Sequence, residues 1–334
     1  MVFRCPHGAT TKYIKRLVGL PNETVKIAQG NIYVRGNDSD QFTIARKPPE
    51  KVAALLRGVH NNDYKSSRLQ SLGWPPRWSP WSPTGAPPSN GWVSDEGHRK
   101  FSVESPTQDT VWLAYHHLLP PSEIWAAAEQ NIPWDIGAPR PQLITDRTAY
   151  NSPIGEYDDS SDQNESKGLH WVGDLAIECT VDVQQVNQGG SLTFVLVKGG
   201  RQFRCVFNLN KSTARLAIDA ISDYRPTAEG IELTGGPRRI RFANVDDQLL
   251  LWIDETLVSF DAPTAYPSFD RTVPTAEDLT PLRIGARETK LTIEHLELKR
   301  DIYYIADRQS RLSDYIYLPF SMGSESDIAE FFST

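Results

Sequence analysis

The sequence is short of several things that would settle its class at once. Its 334 residues hold two methionines and three cysteines. Cys5, Cys179 and Cys205 are an odd number and cannot close a disulfide framework. Cys179 and Cys205 fall in separate candidate strands and would pair only if those strands were neighbours. Buried free thiols, which pack as small hydrophobes, are the expectation. Basic residues are in deficit: a net charge of −7 removes the footprint that a nucleic-acid partner needs, and leaves no polybasic patch for a membrane surface. No apolar run approaches the roughly 20 residues of a spanning helix. The start, Met1-Val2-Phe3-Arg4-Cys5-Pro6-His7, lacks the hydrophobic stretch of a secretory signal. The expectation is a chain that is soluble as it stands and carries no anchor. Long helical patterns are scarce as well. With 24 prolines, 22 glycines, and 9 Trp, 12 Tyr and 12 Phe, the composition favours a mainly β fold with few short helices.

Along the chain, Tyr13 to Leu20 is an extended run ending at Pro21. Val25, Ile27, Ile32 and Val34 flank a turn at Gln29-Gly30-Asn31, a hairpin pattern. Residues 48–57 read as a helix, with proline at the start and Gly58 past the end. Residues 73–91 carry so much proline that irregular structure is expected, with their tryptophans plugging the loop onto a core. A short helix follows Pro120-Pro121, over Ser122 to Gln130. The acidic stretch 156–166 reads as a solvated loop.

From 171 to 305 the pattern turns strongly β. Leu175, Ile177, Cys179, Val181 and Val183 alternate with Asp174, Glu178, Thr180 and Asp182. Leu192, Phe194 and Leu196 repeat the alternation, Gly199-Gly200 marks a tight turn, and Phe203, Cys205, Phe207 and Leu209 follow. In the last strand the inward phase slips from Leu291 and Ile293 to Leu296 and Leu298, which predicts a bulge near Glu294-His295. Strands at hairpin spacing predict a sandwich or jelly roll. The run Arg239-Ile240-Arg241-Phe242-Ala243-Asn244, followed by Leu250-Leu251-Trp252-Ile253-Asp254, resembles the laminin-G/concanavalin-like sandwiches. That resemblance implies a fold and little about function.

The strongest signal is shorter. Tyr13-Ile14-Lys15-Arg16-Leu17-Val18-Gly19-Leu20-Pro21 resembles the lysine box of the type I signal peptidases, with Asn22-Glu23 where the family continues Gly-Asp or Gly-Glu. Gly30-Asn31-Ile32-Tyr33-Val34-Arg35-Gly36 resembles the family's next hairpin, and Val2-Phe3-Arg4-Cys5-Pro6 the strand before the box. The resemblance implies a serine endopeptidase of Ser-Lys dyad type that cleaves secretory signal peptides. It implies Lys15 as general base, Arg16 as structural support, and the backbone of Tyr13 and Ile14 as the edge that pairs with an extended substrate. A lysine acts as a base only when neutral, so its pKa must fall below about 10.4, and an apolar setting lowers it. On a strand Lys15 shares a face with Tyr13 and Leu17, while Ile14, Arg16 and Val18 take the other. Taken alone, a strand lysine is a solvated residue; the whole motif reverses that.

The family's Ser-x-Met-x-Pro nucleophile box does not occur in the sequence, nor does its Gly-Asp-Asn box. The expectation is therefore a fragment inactive on its own. Residues 1–47 would be peptidase-like, 48–72 a helical linker, 73–310 an inserted sandwich and 311–334 a return toward the peptidase core. By resemblance it would work at the bacterial cytoplasmic membrane, on the extracytoplasmic side, through membrane segments that this sequence lacks. The alternative is a non-enzymatic module whose sandwich binds a glycan or a protein, with the hairpin as a relic. No cofactor and no metal are expected. His116 and His117 are adjacent on a strand and point to opposite faces, so with Asp109 they make a poor ligand set. Glu294 and Glu297 lack the pattern of a glycosidase pair. The sequons at Asn22, Asn164 and Asn210 are taken as chance matches.

Overall fold

The computed structural model describes residues 2–5, 8–14, 19–85, 91–105, 108–133, 135, 137–146, 170–269 and 272–304. The predicted acidic loop at 156–166 and the return segment at 311–334 lie outside them. The described protein is mainly β. Strands β1 (Val2–Cys5) and β2 (Gly8–Ile14) form an antiparallel pair, with Val2 opposite Ile14 and Phe3 opposite Tyr13. A separate three-stranded sheet holds β3 (Glu23–Ala28), β4 (Asn31–Gly36) and β5 (Thr43–Ile44). The predicted β3–β4 hairpin is present: Ala28 faces Asn31, and the two residues between them, Gln29 and Gly30, have φ of 49° and 78°. Such a turn wants glycine. Gly30 is doubly constrained, because a Cβ there would run into the ring of Tyr303.

Helix α1 (Pro49–Leu55) leads into β6 (Arg57–Asn61), and α2 (Ser67–Ser71) into β7 (Trp78–Trp81). Then come β8 (Val93–Ser94), β9 (Phe101–Ser105), β10 (Val111–Tyr115) and α3 (Ser122–Gln130). The remainder is β11 (Leu175–Lys198), β12 (Arg201–Asn208), β13 (Thr213–Ile218), β14 (Thr227–Glu229), β15 (Arg238–Val245), β16 (Gln248–Ile253), β17 (Thr256–Leu257) and β18 (Leu282–Arg300).

Two long strands organise all of this. The first half of β11 pairs with β15, and its second half with β12. Strand β18 follows β11 along both halves, with register shifts between. One half of the pair thus sits in the row β14-β13-β12-β11-β18-β10-β7. The other sits in β17-β16-β15-β11-β18, extended by β6 and β9. The two rows share one apolar core, in which Phe194, Phe207 and Leu216 of the first meet Ile177, Phe242, Leu251 and Ile293 of the second. That is the expected sandwich. Its second row also has an apolar outer patch, where Val52 of α1 packs with Ala176, Ala243, Leu250 and Trp252.

Several expectations need correction. The first helix ends at Leu55, not Arg57, and residues 57–61 are a strand on β18, so the sheet draws in part of the segment read as a linker. Residues 78–81 form a strand despite Pro80. Among the described residues strand β7 pairs with β10 alone, and an edge strand tolerates proline because its outward side needs no ladder donor. The alternations at 175–183 and 192–196 belong to one continuous strand. Asp174, just before it, and Glu178, on its polar phase, are buried at 7% and 4% exposure: Lys198, at the far end of the same strand, meets Asp174, and cations of neighbouring strands roof Glu178. Other readings hold. Cys179 and Cys205 are buried free thiols, which burial pushes above their ordinary pKa. The bulge is where the phase slip put it, with His295 at φ 54° and a register shift opposite Glu178 and Thr180.

Candidate functional site

Of the four residues implied by the lysine box, Tyr13 and Ile14 end β2, paired with Phe3 and Val2. Lys15 and Arg16 lie outside the described residues, as do Leu17 and Val18. The chain re-enters at Gly19. The Leu20 N–H then donates to Glu23 Oε2 at 2.7 Å, which fixes the corner into β3.

Where the N-terminal segment meets the sandwich, the structure gathers charges that sequence reasoning did not bring together. The β15–β16 hairpin turns through Asp246 and Asp247, at φ of 51° and 53°. Asp174 lies just before β11 and Asp301 just after β18, and the Asp301 N–H donates to the Asp174 carbonyl at 2.8 Å. Lys47 reaches in from the N-terminal side. Its Nζ lies 2.7 Å from Asp246 Oδ1 and 2.8 Å from Asp301 Oδ2, and its backbone N–H donates to Asp246 Oδ2 at 2.9 Å. On the far side Lys198 Nζ sits 2.5 Å from Asp174 Oδ1 and 3.5 Å from Asp247 Oδ1. The Asp246 N–H donates to Asp174 Oδ2, closing the cluster.

Burial opposes the charge on each lysine, but the carboxylates beside it outweigh that and raise both pKa values above the ordinary one. Asp301 goes the other way. Burial, aided by the charges of Asp246 and Asp174, pushes its carboxyl up to about 7 against the pull of Lys47. Asp174, Asp246 and Asp301 each bring an oxygen within 4.8 Å of the others, a spacing that would suit a cation. The two ammonium groups already stand among those oxygens, however, so the arrangement is an ionic joint. Beside it is a cleft of about 60 Å³, lined by Tyr33, His170, Lys198, Asp247, Ser268 and Tyr303. His170 stacks on Tyr303 and meets Asp146 Oδ2 at 2.9 Å. In sequence, Asp246-Asp247 between two apolar runs signals a turn and nothing more.

The histidine pair and the two glutamates of β18 make contacts within the fold. His116 and His117 diverge, Nδ1 of His116 lying 3.5 Å from Ser79 Oγ and Nδ1 of His117 3.0 Å from the Tyr115 hydroxyl. Burial, then the charge of Arg77, lowers His117 to about 3, so it is neutral. Glu294 pairs with Lys100 at 2.6 Å, and Glu297 with Lys299 at 3.2 Å.

Comparison with known proteins bears on the first part of the chain. Residues 1–73 match the family model of signal peptidase, peptidase S26. A relative from Synechocystis sp., described as probable signal peptidase I-2, is 36% identical over 63 residues. That alignment takes in 16% of this chain and 29% of the relative, so the chain spans under a third of the curated protein it matches. The N-terminal segment is thus signal-peptidase-like, joined to a β-sandwich. Among solved structures, a carbohydrate-binding module of Bacillus subtilis covers 67% of this chain and 95% of its own length, at 7% identity and a TM-score of 0.36. A B. subtilis protein of unknown function with a galectin-like fold covers 75% and 100%, at 8% identity and a TM-score of 0.37.

Proposed function

We propose that the N-terminal segment is the lysine-bearing part of a signal peptidase I, with Lys15 as general base of a Ser-Lys dyad and the sandwich as an insertion into that enzyme. The observation that carries this is the ordered run Tyr13 to Pro21, with its one lysine, inside the span that matches the family model. A serine hydroxyl becomes a useful nucleophile when a base takes its proton, and a neutral, desolvated lysine can do so. In this reading Arg16 braces the strand. Tyr13 and Ile14 offer backbone groups to the extended end of a secretory signal peptide, a strand-addition mode. The place of action is the extracytoplasmic side of a bacterial cytoplasmic membrane. Among the described residues no helix is long and apolar enough to cross a membrane. The boundaries that go with this reading are residues 1–47 for the peptidase-like segment, 48–72 for a linker whose strand β6 joins the sandwich sheet, 73–310 for the insertion and 311–334 for the return.

Because no Ser-x-Met-x-Pro box occurs in the sequence, the chain by itself leaves preproteins uncut. The test titrates isotope-labelled chain with a synthetic peptide spanning a signal-peptide cleavage region. Amide shifts centred on Tyr13 and Ile14, without cleavage, are expected. Absence of shifts there sinks the substrate-edge role, and cleavage that disappears in Lys15→Ala overturns the missing nucleophile. The alternative, a binding module for a glycan or protein with the hairpin as a relic, concerns the sandwich.

A further inference from the structure

On the flank of the sandwich, α2, α3 and the turn at residues 95–98 enclose a groove of about 550 Å³, away from the peptidase-like hairpin. Leu69, Ile124 and Ala128 knit the two helices together, with Trp74 packed on them. The same packing leaves Trp125, next to Ile124 on α3, 41% exposed at the groove, and Tyr64, which also lines it, 82% exposed. Large exposed aromatic faces beside a cavity are unusual on a protein with no partner for them.

The polar lining is as informative. Lys65 Nζ donates to the carbonyls of Gly97 (3.1 Å) and His98, and an Arg77 Nη donates to the Tyr115 hydroxyl at 3.3 Å. Both side chains are half-buried, and neither has a carboxylate at ion-pair distance among the described residues, while the charges of Asp95 and Asp63 act on Lys65 from farther away. Both acids also hold closer partners: Asp63 pairs with His295 at 2.8 Å, and Asp95 accepts the backbone N–H groups of Arg99 and Lys100. His60 adds a buried Nε2 with no hydrogen-bond partner among the described residues. Burial, then the charges of Arg77 and Lys65, hold this imidazole neutral, with a pKa lowered to about 3. Glu96, exposed at the rim, is an acceptor and leaves two cations to one anion in the groove. An uncharged occupant would seal two lining cations away from water with the single lining anion Glu96 to offset them, which is costly. A bare anion would leave the indole uncovered.

We infer that this groove binds an anionic saccharide, whose ring stacks on Trp125 and whose carboxylate meets Lys65 and Arg77. A pyranose has the required parts: a C–H face for the indole, hydroxyls for His60 and Glu96, and, in a uronate, the charge. The inference rests on the binding-module reading, carried to a groove whose wall is built largely from residues 60–77, and is independent of Lys15.

Calorimetric titration of the whole chain with tri-galacturonic acid, neutral galactotriose, inorganic phosphate and a tri-glutamate peptide tests it. Saturable binding of the uronate is expected, at least about tenfold tighter than of the neutral sugar. It should weaken about tenfold or more in Lys65→Gln and be lost in Trp125→Ala, with circular dichroism unchanged in both variants. Equal binding of neutral and acidic sugars overturns the charge assignment. Phosphate binding as tightly as the uronate overturns the sugar. Binding of the peptide but not the uronate overturns the saccharide while leaving a binding module. No binding by any probe overturns the site.

Discussion

At the scale of single residues, burial and charge compete most sharply at Asp301. Its carboxyl is 2% exposed, and although Lys47 lies beside it, the charges of Asp246 and Asp174 press on it as well. An unfolded aspartate titrates near 3.9, whereas here the proton is held to about 7. Between those values the folded state binds more protons than the unfolded one, so this group's contribution to stability is present in acid and is lost as pH rises through 7. The neutral variant Asp301→Asn removes that loss. Its thermal midpoint relative to wild type should climb from pH 5 to pH 8; a difference that stays flat or falls would mean that Asp301 is ionised throughout. None of this was legible in the sequence, where Asp301 is one acid after a basic pair, because its environment is made by residues distant in the chain.

At the scale of elements, the alternation of β11 and β12 was legible because a half-buried strand must place every second side chain inward. Phe194 and Phe207 meet edge to face, with ring centroids 6.0 Å apart and no solvent exposure at Phe194. Phe194→Ala should therefore cost about 3–5 kcal/mol, read as a lowered midpoint in urea with an unchanged slope. A loss under about 1 kcal/mol would show that the core can collapse around the gap. The short strands were less legible. Strands β6 and β7 are outer strands whose identity comes from the edges they cover. Gly58 and Pro80 argue against strand locally, and the hydrogen bonds offered by β18 and β10 outweigh them. The polar phase of β11 misled in the opposite sense. Glu178 looks like a solvent residue by alternation, yet Arg239, Arg241 and Lys299 from the flanking strands enclose it and lower its pKa despite burial.

At the scale of the whole molecule, Lys47 ties the N-terminal segment to the sandwich through partners up to and beyond 199 positions away in sequence. The bridge between Gly30 and Tyr304 ties them again. Removing the ammonium leaves Asp246 and Asp301 facing each other in a buried site. Lys47→Ala should destabilise by roughly 3–5 kcal/mol, the usual penalty for breaking a buried pair. Calorimetry should show one transition for the wild type and a lower midpoint for the variant. An unchanged midpoint would mean that the ionic joint is already solvated.

By itself the sequence determined the mainly β class, the β3–β4 turn, the phase slip at Glu294-His295 and the peptidase-like run around Lys15. Each rests on local spacing: period two, turn residues in order, or an ordered motif. Tertiary structure alone decided that two long strands share both rows of the sandwich. It also decided that β6 and β7 belong to it, that Lys47, Asp174, Asp246 and Asp301 form one buried joint, and that Lys65 and Arg77 share a groove with Trp125. Those outcomes depend on which surfaces exclude water together. That is a property of the folded chain, which no window of neighbouring residues contains.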